Sequence, residues 1–568
     1  MTALPSRTIP TGALVDFDVP VPARDGTVLR ADVMRPRTDR TVPVILLRTP
    51  YGQAASRMQL EWLRAIQEGF AVVSQSVRGT GTSAGTFEPW RHEAADGADA
   101  VAWCAAQPWS SGAVGMLGSS YLGQAQLYAA GAASAALRAI APGVTPSHPY
   151  EMLHEGGAFH LGFAVSWASG GALLQLNRRQ AQEPRADADE TMARLLDVAN
   201  DPWAAFRTRP LRAIPAIADS LPAWADWLDH PSRDGWWNRL DLPPRPEVPA
   251  LFTTGWWDVF ASGSLAEWER QPRHPGSRLI IGPWSHALDG EVHGEVWYGR
   301  SSAAPAQDVA GEALRFLGRH VDVGARRGED GPPVRYFLMG ANAWCDADEW
   351  PPRTTPERWY LRSGGGLTRE HPEVRDDPVG FDHDPLDPVP TLGGRNLLQA
   401  SLGALLAGPM DQASLDGRAD LARFTSGVLA AEHVVTGTVT VSLEVRTTAA
   451  DSDWTAKLVD VGPDGRGFNV VDGIVRARYR NGTDRARLAP AGEPFRVEIS
   501  LGPVAHAFLA GHRLRVEVAG SNFPRFDPNP GTGGSAADLP ASDYVQARHT
   551  LHLDAERASW LSLPVRPR

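Results

Sequence analysis

The sequence predicts an α/β domain with a mostly parallel sheet, interrupted by a helical insertion and followed by an all-β sandwich or jelly roll. Three observations predict it. Short apolar runs alternate with helix-like segments up to residue 143, and again from 242 to 352. Residues 144–241 carry helical patterns and many aromatics but no good strand. From 353 to 568 the pattern changes to alternating runs separated by Gly, Pro and Asp turns.

Val44–Leu47, Ala71–Ser74, Val114–Leu117, Ala139–Pro142, Leu251–Thr254 and Leu279–Gly282 read as buried strands, each a short apolar run. Arg57–Gly69, Glu93–Ala106 and Tyr121–Ala133 read as the helices between them. In the insertion, Glu190–Val198 and Ala216–Leu228 have helical spacing, and the segment is expected to cap the sheet. In the last part, Val435–Thr447 alternates strongly, and Trp454–Val461, Phe495–Leu501 and Arg513–Ala519 behave alike. The expected division is 1–143 with 242–352 for the α/β domain, 144–241 for the cap and 353–568 for the β domain. A chain of 568 residues has room for three to four domains.

Composition removes several function classes. The net charge is −11, and no run of basic residues offers a nucleic-acid footprint. No window approaches the apolar length of a membrane span, and Met1–Asp16 lacks a signal-peptide core. Cys104 and Cys345 are too few and too far apart in sequence for a disulfide framework or a cysteine metal site. A cytoplasmic protein is expected. Lys457 is the single lysine among 55 basic residues, a ratio that reads as a GC-rich coding genome.

A serine nucleophile in a strained strand-to-helix turn is marked by Gly-x-Ser-x-Gly, the elbow of α/β-hydrolases. The literal pattern occurs at Gly81–Gly85, but Thr-Phe-Glu-Pro-Trp follows it and cannot open a helix. Gly118-Ser-Ser120-Tyr-Leu-Gly123 has the better context. The run before it reads as a strand and an Ala-rich helix follows, although the second glycine is one place late. By itself this segment is equally an ordinary strand–helix turn. A serine needs a base, and the base needs an orienting carboxylate. In this fold the chain order is Ser, Asp, His. Asp258 and His286 fall in that order, just beyond two consecutive predicted strands, where ligands bind in α/β sheets.

These segments together resemble the bacterial cocaine esterase-like acyl hydrolases, grouped with the X-Pro dipeptidyl-peptidases and α-amino-acid ester hydrolases. The resemblance rests on the Ser120 segment, Gly255-Trp-Trp-Asp258-Val-Phe and Ile-Gly-Pro-Trp-Ser-His286. It extends to Arg48-Thr-Pro-Tyr51, the loop Ser76–Gly85, and Asp453–Val461 and Ser521–Asp527 near the C-terminus. It implies an α/β-hydrolase domain, a helical cap and a C-terminal jelly roll. It also implies Ser120 as nucleophile, His286 as general base and Asp258 as its partner. The oxyanion hole it implies is the Tyr51 hydroxyl with the Tyr121 amide, and Trp167 and Phe260 would face an aromatic acyl group.

The expected activity is serine hydrolysis of a small-molecule ester with an apolar or aromatic acyl group. An amidase or β-lactam acylase uses the same triad. Relatives that take α-amino acyl groups recognise the ammonium with an acidic cluster, part of which follows the triad aspartate, and here Val259 and Phe260 follow Asp258. That argues against amino-acyl and X-Pro substrates, with Glu151 and Glu155 the remaining acids to place. A non-enzymatic binding protein is disfavoured by the intact Ser, Asp and His. No metal motif is found, and His154 and His160 read as structural. The acidic stretch Asp376–Asp387 reads as a linker rather than a calcium loop. No cofactor is expected, and a homo-oligomer is left open.

Overall fold

The computed structural model describes residues 13–53, 62–184, 186–214, 216–244, 248–270, 274–321, 331–372, 376–397 and 406–567. Its first sheet runs β1 (Leu14–Pro22), β2 (Val28–Arg35), β3 (Val42–Thr49), β4 (Ala71–Ser76), β5 (Ser110–Ser119) and β6 (Leu137–Gly143). After the inserted helices it resumes with β9 (Leu251–Gly255), β10 (Arg278–Gly282), β13 (Val334–Leu338) and β14 (Ala343–Ala347). The spatial order is β1-β2-β4-β3-β5-β6-β9-β10-β13-β14. From β4 to β13 every neighbour pair is parallel, and the outer pairs at both edges are antiparallel.

The six strands expected from apolar runs are all present. β4, β9 and β10 are buried at every position, as strands covered on both faces must be. The edges were not anticipated. β1 is largely exposed, so it has no apolar run to announce it. Helices α1 (Trp62–Gln67), α2 (Glu93–Ala105) and α3 (Tyr121–Ala130) lie between the strands. Residues 57–61 of the expected first helix are outside the described residues.

Between β6 and β9 stand α4 (Pro149–Leu153), α5 (Leu161–Gln182), α6 (Ala188–Asn200), α7 (Trp203–Arg207), α8 (Ile217–Ser220) and α9 (Ala223–Asp229). The longest, α5, has no clean amphipathic stripe and two adjacent glycines, Gly170 and Gly171, which hid it from a periodicity reading. The expected helix Ala216–Leu228 is split. Pro222 stands between α8 and α9, and a proline has no N–H to carry a helix through. The insertion also holds a two-residue ladder, β7 (His154–Glu155) with β8 (Ala158–Phe159). A second small ladder pairs β11 (Val292–His293) with β12 (Val296–Trp297). Helix α10 (Ala261–Arg270) follows β9, and α11 (Val309–Val321) packs its buried Leu314 and Leu317 into the core under the sheet.

The C-terminal part is all β: β15 (Thr355–Arg362), β16 (Gly366–Thr368), β17 (Val379–His383), β18 (Leu421–Ser426), β19 (His433–Thr447), β20 (Asp453–Val461), β21 (Gly467–Arg476), β22 (Phe495–Phe508), β23 (Arg513–Ala519), β24 (Ala547–His552) and β25 (Trp560–Val565). Its eleven strands pair antiparallel except β16 with β18. The inward residues of β19 (Val439, Val441, Leu443, Val445) meet Leu458, Val516, Leu561 and Leu563 in one core. The acidic stretch read as a linker contains strand β17, which pairs with β24. Its alternation, Val-Gly-Phe-Asp-His, is too short to stand out among aspartates and prolines.

Candidate active site

Ser120 sits where β5 turns into α3. Its backbone is at φ 62°, ψ −126°, a conformation a non-glycine residue holds only when its surroundings impose it. It occupies the N-cap position, yet its side chain makes no capping bond. The surroundings explain the late second glycine. Leu122 takes the place two residues after the serine, and Gly118 makes room for it. Gly118 is at φ +142°, and a Cβ there would stand 2.5 Å from Leu122 Cβ. Gly123 lies in the first turn of α3, where a Cβ would meet Thr145 Cβ at 2.9 Å and the Gly143 carbonyl at 3.0 Å. The glycine is set by the close packing of α3 on the end of β6. Gln126, buried below, donates to the Gly118 carbonyl (2.9 Å) and accepts from the Ala141 amide (2.9 Å), fastening β5 to β6. In contrast, Ser83 of the literal motif is buried, accepting from Arg30 N and donating to the Ser76 carbonyl.

Asp258 and His286 come from the loops after β9 and β10. His286 Nδ1 is 2.7 Å from Asp258 Oδ1, and the carboxylate is fully buried while the imidazole keeps some exposure. The Thr254 hydroxyl approaches the other carboxylate oxygen at 3.4 Å. With Nδ1–H given to the carboxylate, Nε2 is left as the basic nitrogen. The neighbouring tryptophans hold these loops. Trp256 Nε1 donates to the Phe337 carbonyl (2.6 Å), Trp257 Nε1 to the Tyr298 hydroxyl (3.2 Å) and Trp284 Nε1 to the Ser302 carbonyl (2.6 Å). All three rings are buried, so they frame the site and do not line it.

Tyr51 follows β3. Its hydroxyl accepts from Trp167 Nε1 at 3.1 Å. Desolvation raises its pKa, opposed by hydrogen bonding from Trp167 and Ser120, so the phenol is a protonated donor at neutral pH. The Tyr121 amide is the first N–H of α3, a position with no acceptor inside the helix, at the positive end of its dipole.

Beneath these donors lies a buried network whose pairings no sequence pattern announces. The Arg48 guanidinium is ion-paired with Glu93 and donates to Gln75 Oε1 at 2.8 Å. The Tyr121 hydroxyl donates to Glu93 Oε1 (2.9 Å) and accepts from Trp90 N (3.1 Å). Burial, then the Glu93 charge, pushes the Tyr121 phenol far above its ordinary range. The end of β3, the start of α2 and the first residue of α3 are thus tied at one point. A charge closing an apolar strand, as Arg48 does, was the available signal.

Of the acyl-side candidates, Phe260 lies edge-on to His286 (centroids 5.1 Å) and to Phe163 (5.2 Å). Trp167 stacks on Trp90 (5.7 Å) and Tyr121 (6.5 Å). Both belong with Tyr51 and Tyr121 to one aromatic cluster built largely by the inserted helices. The two cap acids are engaged. Glu155 pairs with Arg525 at 3.0 Å and faces His160 at 3.6 Å. Burial would raise its pKa, but Arg525 and His160 outweigh that and lower it. Glu151 faces His148 (3.3 Å) and Arg233 (3.4 Å). A cavity of about 500 Å3 has Ser120 and His286 in its wall. Among the described residues no group of three or more His, Cys, Asp or Glu is placed to hold a metal ion, and no helix is long and apolar enough to cross a membrane.

Comparison with known proteins adds to this geometry. Residues 25–288 match the family model of the X-Pro dipeptidyl-peptidases (S15 family), and residues 327–562 match that of the X-Pro dipeptidyl-peptidase C-terminal non-catalytic domain. The chain is 35% identical to cocaine esterase from Rhodococcus sp. (strain MB1 Bresler), covering 97% of this chain and 98% of that one. Among solved structures it is similar to an α-amino acid ester hydrolase, with a TM-score of 0.79 at 24% identity over 100% of both chains. It is also similar to an aminopeptidase from a marine sediment Thaumarchaeota archaeon, with a TM-score of 0.81 at 22% identity over 100% of this chain and 98% of that chain.

Proposed function

The chain belongs to the cocaine esterase-like acyl hydrolase family, and from that premise we propose that it is a serine hydrolase of carboxylic esters working through an acyl-enzyme. The observation that carries the reading is Ser120, held at φ 62° at a strand–helix turn and sharing a cavity wall with a histidine bonded to a buried aspartate. Ser120 Oγ attacks the ester carbonyl while His286 Nε2 takes its proton. Asp258 fixes the imidazole and stabilises its charged form. The carbonyl oxygen becomes an oxyanion between the Tyr51 hydroxyl and the Tyr121 amide, fixed donors that need no rearrangement. Collapse breaks the bond to the alkoxy oxygen, which leaves with the proton from His286. Water then repeats the sequence on the acyl-enzyme, releasing the acid and restoring Ser120.

The inserted helices act in this proposal as a cap, with residues 1–143 and 242–352 forming the α/β-hydrolase domain and 353–568 a supporting jelly roll. Trp167 and Phe260 favour a flat, apolar acyl group by burial and ring contact. The part of the ammonium-binding acidic cluster that follows the triad aspartate in the family's amino-acyl enzymes has no acid here, since Val259 and Phe260 follow Asp258, and Glu151 and Glu155 have cationic or histidine partners. The two free thiols, Cys104 and Cys345, suit the reducing cytoplasm.

The test is substrate choice together with active-site labelling. p-Nitrophenyl benzoate is expected to be cleaved in preference to an α-amino acyl ester or an X-Pro anilide. A fluorophosphonate probe is expected to label the wild type and not Ser120→Ala. Preference for the ammonium-bearing substrates would replace the esterase reading with a peptidase or amino-acyl hydrolase one. Equal labelling of Ser120→Ala would remove the nucleophile assignment.

A further inference from the structure

The cavity beside Ser120 and His286 does not belong to the aromatic cluster of the acyl side. Its wall includes Leu117, Ala141, Leu288, Ala304, Val309 and Ala310. Leu117, Ala141, Leu288, Ala304 and Val309 belong to the core on the α11 side of the sheet, with Leu314 and Leu317, and the aromatic members of that core, Phe70, Phe316 and Trp284, do not reach the cavity wall. Trp167, Phe260, Phe163 and Tyr121 belong to the cluster under the inserted helices. Two chemically different apolar regions therefore meet at the reacting pair. One is aromatic, and the other is lined mainly by small aliphatic side chains, with Ser119 and Thr253 among them.

Acylation distinguishes the two halves of an ester. The bond formed joins Ser120 Oγ to the carbonyl carbon, and the bond broken releases the alkoxy oxygen. The proton lost by Ser120 reaches that oxygen through His286, so the alcohol must depart along the imidazole. His286 is in the cavity wall, and so are its neighbours Ala287 and Leu288. The Asp308 carboxylate at the cavity's edge is held by Arg64 (2.6 Å) and Arg315 (2.9 Å), so its charge is spent on those partners.

We propose that this cavity is the alcohol subsite: it accepts the leaving group of the ester, and its aliphatic wall selects bulky apolar alcohols. The inference rests on the esterase reading above and adds the half of the substrate that the aromatic cluster does not address. At about 500 Å3 the space is within the usual range for small-molecule sites.

The experiment uses two series of esters on the full chain. One keeps the benzoyl group and varies the alcohol from methyl to 1-naphthyl. The other keeps the methyl alcohol and varies the acid from benzoic to 1-naphthoic. Ala310→Phe places a ring in the cavity from the second residue of α11, a partly exposed position. It is expected to lower the kcat/KM ratio of naphthyl to methyl benzoate by about tenfold or more, with the ratio within the acid series unmoved. Val309→Ala enlarges the same wall and is expected to raise the alcohol ratio. A change confined to the acid series, or no change in either ratio with both variants folded, would overturn the assignment of the cavity. Failure of the wild type to cleave any ester of either series, despite fluorophosphonate labelling, would overturn the esterase reading itself and this proposal with it.

Discussion

Replacing Tyr51 by phenylalanine removes one hydroxyl and nothing else. The Tyr51 oxygen accepts from the Trp167 indole, which can only donate, so the single phenolic proton is free for another acceptor near Ser120. In the proposed mechanism that acceptor is the oxyanion. One such donor is worth about 3 kcal/mol of barrier, or roughly 10² to 10³ in kcat. The structural cost is smaller: Trp167 Nε1 loses its acceptor at a part-buried site, about 1 kcal/mol. Tyr51→Phe is therefore expected to fold with a slightly lower melting temperature, to keep KM for p-nitrophenyl benzoate within severalfold and to lose kcat by at least about 100-fold. Steady-state kinetics and thermal unfolding on the same sample separate the two effects. A kcat within about threefold of wild type in a folded variant would refute the donor role, because the mechanism then has no use for the phenol. So would an alkaline limb of kcat lying below the ordinary phenol range and absent in Tyr51→Phe, since desolvation raises the pKa of Tyr51.

Asp258→Asn keeps the shape of the buried pair but removes its charge, and is expected to lower kcat by about 10⁴ with the protein still folded. Kinetics with p-nitrophenyl benzoate decide it, and a loss under tenfold would refute the role. Gly118→Ala sets a Cβ 2.5 Å from Leu122 Cβ at φ +142° and should displace the Ser120 turn. The rate of fluorophosphonate labelling is expected to fall by about 100-fold, and unchanged labelling would show the turn to be set elsewhere. Burial, then the charge of Arg476, lowers the pKa of His154 to about 3, and burial, then His383, lowers that of His549 to about 3. Below an unfolded value of 6.5 the unfolded chain binds protons that the folded chain refuses, so stability falls as pH drops from 6.5 toward 3. At about pH 5 each histidine costs about 2 kcal/mol. His549→Asn should therefore lose less melting temperature than wild type between about pH 7 and pH 5, and parallel losses would refute the assignment.

The parallel strands were legible because a strand buried on both faces is a self-contained apolar run, as in Leu251–Gly255 and Arg278–Gly282. The same logic fails at exposed edges and in helices without an amphipathic stripe, which is why Leu14–Pro22 and Leu161–Gln182 were not anticipated. The Asp376–Asp387 reading failed because five strand residues were set in a frame of turn-forming ones. At the candidate site, the chain order of Ser120, Asp258 and His286 and their loop positions just after strands were legible. The late glycine at 123 was not explained until the Thr145 side chain and the Gly143 carbonyl were seen against it.

The alternation of strands and helices, the loops that carry the three polar candidates and the change to β structure after residue 352 are written in the amino-acid pattern. These are local properties, read within a window of a few residues from which face is buried. The folded chain brings Arg48 to Glu93 across 45 positions, Tyr121 to Glu93 across 28 and Trp167 to Tyr51 across 116, pairings no local window contains. It also brings an aromatic and a mainly aliphatic region together at Ser120 and His286. Periodicity states that a side chain is buried, but its partner is fixed by strand order and by how the insertion folds back. That information is spread over the whole chain and is expressed only when the chain closes.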